Sequence, residues 1–175
     1  MYKRFFAIIA AMAMLLFGVT TSALAATTTI DPAAAPTGTH LQSGTIGCSV
    51  TATQVDCTTF ELAGVGNANA EATLSTTYTA TVQCRNRGGQ IVEVKSQVTT
   101  VPATTGDLAP KNGRLRVTAL SSSPVPTAAD FVARATCPNG NWTKELLGGT
   151  ITLSSFTYTL HFAGFTGDYI TITGP

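Results

Sequence analysis

Between Leu74 and Cys84 the even positions Leu74, Tyr78, Ala80, Val82 and Cys84 are apolar, and the odd positions Ser75, Thr77, Thr79, Thr81 and Gln83 are polar. A period of two over that length predicts a half-buried strand with Cys84 facing inward. The same alternation recurs along the chain. Val92, Val94 and Val98 oppose Glu93, Lys95 and Gln97, and Leu115 and Val117 oppose Arg114, Arg116 and Thr118. Phe131, Ala133, Ala135 and Cys137 oppose Arg134 and Thr136, which predicts a further strand there. Near the end, Ile151 and Leu153 are odd while Phe156, Tyr158, Leu160 and Phe162 are even, a parity slip that predicts a β-bulge at Ser154-Ser155. Residues 169–173 read as a last strand. Turn chemistry separates the runs at Gly64-Val65-Gly66-Asn67, Asn86-Arg87-Gly88-Gly89, Asn112-Gly113, Asn139-Gly140, Gly148-Gly149 and Gly167-Asp168. No stretch shows a helical period. The pattern predicts about eight to ten short strands in an all-β, antiparallel β-sandwich, Ig-like or jelly-roll-like, with a closed barrel as the competing closure.

Two segments stand outside this pattern. Residues 1–25 open with Met1-Tyr2-Lys3-Arg4, run apolar from Phe5 to Val19 and end in Ala23-Leu24-Ala25, the layout of a secretory signal peptide cleaved after Ala25. Residues 26–40 are Thr-, Pro- and Ala-rich with almost no large apolar side chain, and predict a flexible N-terminal arm. The domain is then 41–175. No later segment has the roughly 20 apolar residues of a membrane span, so none is expected in the mature chain.

Charge narrows the partners. Lys3 and Arg4 leave with the leader and no acid does, so eight basic residues face nine acidic ones and the mature chain carries −1. That balance gives no reason to expect nucleic acid. The four cysteines, Cys48, Cys57, Cys84 and Cys137, predict two disulfides in an exported chain, with three pairings open. No Cys-x-x-Cys spacing supports zinc. Cys48 and Cys57 are placed to staple a local hairpin. Cys84 and Cys137 each end an amphipathic run on its apolar face, which favours 48–57 with 84–137.

The search for catalytic chemistry returns little. His40 falls in the arm and His161 on the Thr157/Thr159 side of a strand. No nucleophile elbow, zinc-helix motif, phosphate loop or dinucleotide fingerprint occurs, and no cofactor is expected. Asp107 and Asp168 follow glycines and read as turn residues before calcium ligands. One constellation stands out. A Cys84–Cys137 bridge would gather Arg85, Asn86 and Arg87 with Asn139, Asn141 and Trp142 at one end of the domain. Arg and Trp dominate binding hot spots, and an indole among amides suits a sugar. The plainer account makes these residues hairpin turns and Trp142 a cap on the core. Asn141-Trp142-Thr143 also forms a glycosylation sequon.

The segments Cys57-Thr58-Thr59-Phe60-Glu61-Leu62-Ala63-Gly64-Val65-Gly66-Asn67-Ala68-Asn69, Cys84-Arg85-Asn86-Arg87-Gly88-Gly89 and Cys137-Pro138-Asn139-Gly140-Asn141-Trp142 resemble a set of small secreted bacterial proteins common in actinobacteria and similar soil bacteria. The chain departs from them at Arg87, where a proline precedes Gly-Gly, and at Ile91-Val92-Glu93, where a more polar stretch is usual. The resemblance implies export, disulfides and a β fold, and no reaction. The expectation is therefore a secreted, non-catalytic protein that binds an extracellular surface, polysaccharide or protein partner. The alternatives are a structural, self-associating envelope protein, a small secreted hydrolase or a protease inhibitor.

Overall fold

The computed structural model describes residues 26–175, so the leader read at 1–25 lies outside the described residues. In chain order the strands are β1 (Thr27–Ile30), β2 (His40–Gly44), β3 (Cys48–Val50), β4 (Val55–Cys57), β5 (Phe60–Ala63), β6 (Ala70–Arg85), β7 (Ile91–Thr99), β8 (Ala103–Thr104), β9 (Arg114–Val117), β10 (Leu120–Ser121), β11 (Thr143–Leu146), β12 (Thr152–Phe162) and β13 (Ile170–Gly174). An α-helix, α1 (Ala128–Arg134), lies between β10 and β11, and a short 3-10 helix spans Pro32–Ala34 between β1 and β2. The fold is all-β, every strand pairing is antiparallel, and the strands form a large sheet and two three-stranded ones.

β6 is the centre of the large sheet. Along one edge it pairs first with β12 and then with β11, and along the other first with β8 and then with β7. Its even positions from Ala70 to Cys84 are all buried, as the alternation predicts. The parity slip in β12 is a register shift between Leu153 and Ser155, so Leu153 and Phe156 both point inward. The sheets β2–β5–β9 and β10–β4–β3 cover this inner face, giving a sandwich-like arrangement. Phe60, Leu62, Leu115, Val117, Val55 and Leu120 join Leu74, Tyr78, Tyr158, Leu160, Phe162 and Ile172 in one core. The outer face is hydroxyl-rich: Thr29, Thr171, Thr159, Thr73 and Thr104 lie in register across five strands.

Two expectations are corrected. Residues 128–134 form a helix, not a strand. Thr127 and Asp130 make a capping box, with both the Thr127 N–H and hydroxyl donating to Asp130 Oδ2 at 2.7 Å. Phe131 and Ala135 bury themselves one turn apart while Ala133 is exposed, a helical spacing that the alternating reading had absorbed. The buried Ser96 hydroxyl donates to the Phe131 carbonyl at 2.8 Å and fastens α1 over the inner face of β7. The segment 26–40, expected as a flexible arm, is docked on the sheet through β1 and the short 3-10 helix, Pro32–Ala34. β1 pairs with β13 over four residues, the Asp31 N–H donates to the Tyr169 carbonyl at 2.9 Å, and Ala34 and Ala35 are buried. Gly64 backs onto this segment. A Cβ there would stand 2.2 Å from the Gly38 carbonyl oxygen, so only glycine fits.

Both favoured disulfides form. Cys48 and Cys57 sit directly opposite each other in the β3–β4 hairpin, and Cys84 joins Cys137, the third residue after α1. The second bridge closes 53 residues and the first 9. Loop entropy alone values them at about 4 and about 2.5 kcal/mol. Cys84→Ser with Cys137→Ser is expected to lower unfolding free energy more than Cys48→Ser with Cys57→Ser, as measured by denaturant titration.

Buried hydroxyls are otherwise satisfied: the Tyr78 hydroxyl donates to the Thr53 carbonyl at 2.9 Å and Thr76 meets Thr100 at 2.8 Å. Tyr158 differs, because its buried hydroxyl has no partner among the described residues. Burial pushes that phenol well above the ordinary tyrosine range. An unpaired buried hydroxyl costs about 1–3 kcal/mol, so Tyr158→Phe is expected to hold or raise the melting temperature, whereas Tyr78→Phe lowers it. The unfolded chain ionises its tyrosines near pH 10 while folded Tyr158 resists, so stability falls as pH rises above about 10. Tyr158→Phe is expected to flatten that fall.

Candidate functional site

β6 ends at Arg85, and the chain turns through residues 86–90 into β7. Asn86 builds the turn with its own amide. Its Oδ1 accepts from the Gln90 N–H at 2.9 Å and its Nδ2 donates to Gln90 Oε1 at 3.1 Å, while the backbones of 86 and 90 bond at 3.1 Å. Gly89 takes the positive φ of +81° that closes it. On the other side of β6, β11 begins at Thr143, whose hydroxyl donates to the Arg85 carbonyl at 3.1 Å.

The segment before Thr143 is held beside this turn at two points. Cys137 is bonded to Cys84, and the Lys144 ammonium donates to the Ala135 carbonyl at 2.6 Å. Asn139 then folds the chain over, its Oδ1 accepting from the Asn141 N–H at 3.1 Å. Between the two loops lies an open groove of about 480 Å³, lined by Asn86, Arg87, Gly88, Gln90, Asn139, Asn141 and Trp142.

Five of the six residues singled out in the sequence therefore meet: Asn86, Arg87, Asn139, Asn141 and Trp142. Arg85 does not join them. Cys84 and Asn86 share the inward parity of β6, and Arg85, paired with Thr143 and Ile91, lies on the opposite face and is exposed. Gly88 and Gln90, from the same turn as Asn86 and Arg87, line the groove with them.

Trp142 is half-buried and stands outside the core cluster, so it does not cap the core. Among the described residues, the polar side chains of the groove differ in whether they are already hydrogen-bonded. Gln90 Oε1 is engaged by Asn86, whereas Arg87, Asn141 and Trp142 make no side-chain hydrogen bond to protein. The groove thus offers one cation, several amides and one aromatic face, on loops whose backbone is tied by a disulfide and a turn. No carboxylate or histidine lines it.

Neither histidine lies at the groove. His161 is exposed, with Nδ1 2.7 Å from the Gly167 carbonyl and 3.7 Å from Asp168 Oδ1. Asp107 accepts from the Asn69 amide at 2.8 Å. Among the described residues no three His, Cys, Asp or Glu side chains gather as metal ligands. No family model, curated protein or solved structure matches the chain.

The position of Trp142 has a measurable consequence. Phe131, the fully buried residue of α1, is expected to cost about 3–5 kcal/mol on replacement by alanine. Trp142→Ala is expected to cost less than half of that in the same thermal or denaturant unfolding experiment, because the indole packs outside the core.

Proposed function

We propose that the chain is an exported, non-catalytic binding protein whose groove takes a short stretch of polysaccharide. The groove carries this reading: Trp142, Arg87, Asn141 and Asn139 converge there without forming part of the core. Sugars present a C–H face to an aromatic ring and hydroxyls to amide and guanidinium donors, which is the mixture available. Binding is favoured over turnover because the lining holds neither the paired carboxylates of glycoside hydrolysis nor a nucleophile beside a base. The leader and the two disulfides support export, and the resemblance to small secreted bacterial proteins belongs to the same proposal.

The threonine rows of the large sheet and the uncharged edge strand β1 favour a second reading, self-association through that sheet.

The test is retention of the oxidised protein on insoluble chitin, cellulose and bacterial cell-wall glycan, alongside Trp142→Ala. Retention weakened at least tenfold in the variant, with a nearly unchanged melting temperature, is the expected result, since a central aromatic anchor carries about 2 kcal/mol or more. Equal retention of both forms overturns the groove. No retention, together with oligomers that grow with concentration in sedimentation, establishes the second reading instead.

A further inference from the structure

The sheet β2–β5–β9 turns its apolar residues Phe60, Leu62, Leu115 and Val117 into the core and leaves a charged face outside. On that face β5 and β9 set Glu61 opposite Arg116 and Ala63 opposite Arg114. The Arg114 guanidinium reaches diagonally to Glu61, Nη1 to Oε1, at 3.0 Å. Arg116 is left without a carboxylate at ion-pair distance among the described residues, and so is Lys111. The Asn112-Gly113 turn brings Lys111 against Arg114, the two backbones exchanging hydrogen bonds of 2.7 and 3.1 Å.

These side chains line a concavity of about 390 Å³, in which Lys111, Arg114 and Arg116 stand with Glu61 over Leu108 and Ala109. A second concavity, of about 320 Å³, continues across the sheet past Glu61 and Arg116 towards Ser43 and Thr59. Three of the eight basic residues after the leader are thus gathered around one acid, in a chain whose remaining surface is net negative.

We propose that this face binds an acidic sugar chain, with the carboxylate of a uronate unit held by Arg116 and Lys111. A planar guanidinium fork matches a carboxylate, and Arg114 already holds one, that of Glu61, in the same concavity. Leu108 and Ala109 supply an apolar floor for the C–H face of a pyranose, and the adjoining concavity receives the next unit. The site is independent of the groove and lies far from it. Leu108 exchanges backbone hydrogen bonds of 2.8 and 3.1 Å with Ala70, the first residue of β6, whereas the groove flanks the last. Sixteen residues of extended chain span about 50 Å, so the two sites occupy opposite ends of the molecule and one chain can hold two glycans at once.

The test is calorimetric titration of the oxidised protein with polygalacturonate, with fully methyl-esterified polygalacturonate and with poly(glycerol phosphate). The expected result is salt-sensitive binding of the free acid and none of the ester. Arg116→Gln or Lys111→Gln is expected to weaken it about tenfold, and Trp142→Ala to leave it unchanged. Both cations are exposed, so the variants are expected to keep the wild-type melting temperature. Three results overturn the proposal: no binding of the free acid, equal binding of the ester, or loss in Trp142→Ala with retention in Arg116→Gln. Tighter binding of poly(glycerol phosphate) than of polygalacturonate overturns the assignment to a carboxylate.

Discussion

The alternation of β6 is the constraint on which the rest depends. Eight inward positions in unbroken register, from Ala70 to Cys84, give the strand one buried face over its whole length, apolar except at Thr76. A slip of one residue would turn that entire face to solvent, so its pairing is strongly specified. Four strands read their own register from it, two along each edge. The small sheets cover the part of its inner face near Ala70 to Tyr78, and α1 covers the part near Cys84. The disulfide to Cys137 then fixes where the chain after α1 must start, and the groove follows from that position.

How much of this was legible depended on where the information lay. Strands with one buried face announced themselves by period, and even the bulge in β12 was visible as a change of parity at Ser154. β1 was not, because its four residues are all exposed and its place in the sheet rests on backbone hydrogen bonds that leave no mark on side-chain pattern. α1 was misread for a different reason. Phe131 and Ala135 are four apart, a spacing that fits a helix and an alternating strand equally, and a seven-residue helix is too short for the remaining positions to decide. Pro126-Thr127 followed by Asp130 was the usable signal, a capping box after a proline.

The candidate sites divide in the same way. The groove was legible because a covalent bond, inferred from cysteine placement, joins two stretches of sequence that are polar and aromatic in composition. The one error, Arg85, came from grouping neighbours in sequence without asking which face of β6 each presents. The charged face of β2–β5–β9 was not legible at all. Glu61 and Arg116 are far apart along the chain, and nothing short of the β5–β9 register brings them opposite each other. A cluster held by strand pairing alone is hidden from a reading that proceeds along one strand at a time.

The pairing of β1 with β13 carries a consequence for how the molecule is made. A chain is delivered N-terminus first, yet the first described strand finds its partner only in the last, Thr27 against Thr173 and Ile30 against Ile170. β13 in turn needs β12, and β12 needs β6. No length of chain short of β13 can complete this side of the large sheet, and the contacts that complete it join distant residues, the topology associated with slow folding. The nascent molecule therefore has β12 as an unpaired edge and β1 without its partner until β13 arrives, and its vulnerability to proteases and to wrong partners is concentrated in that interval.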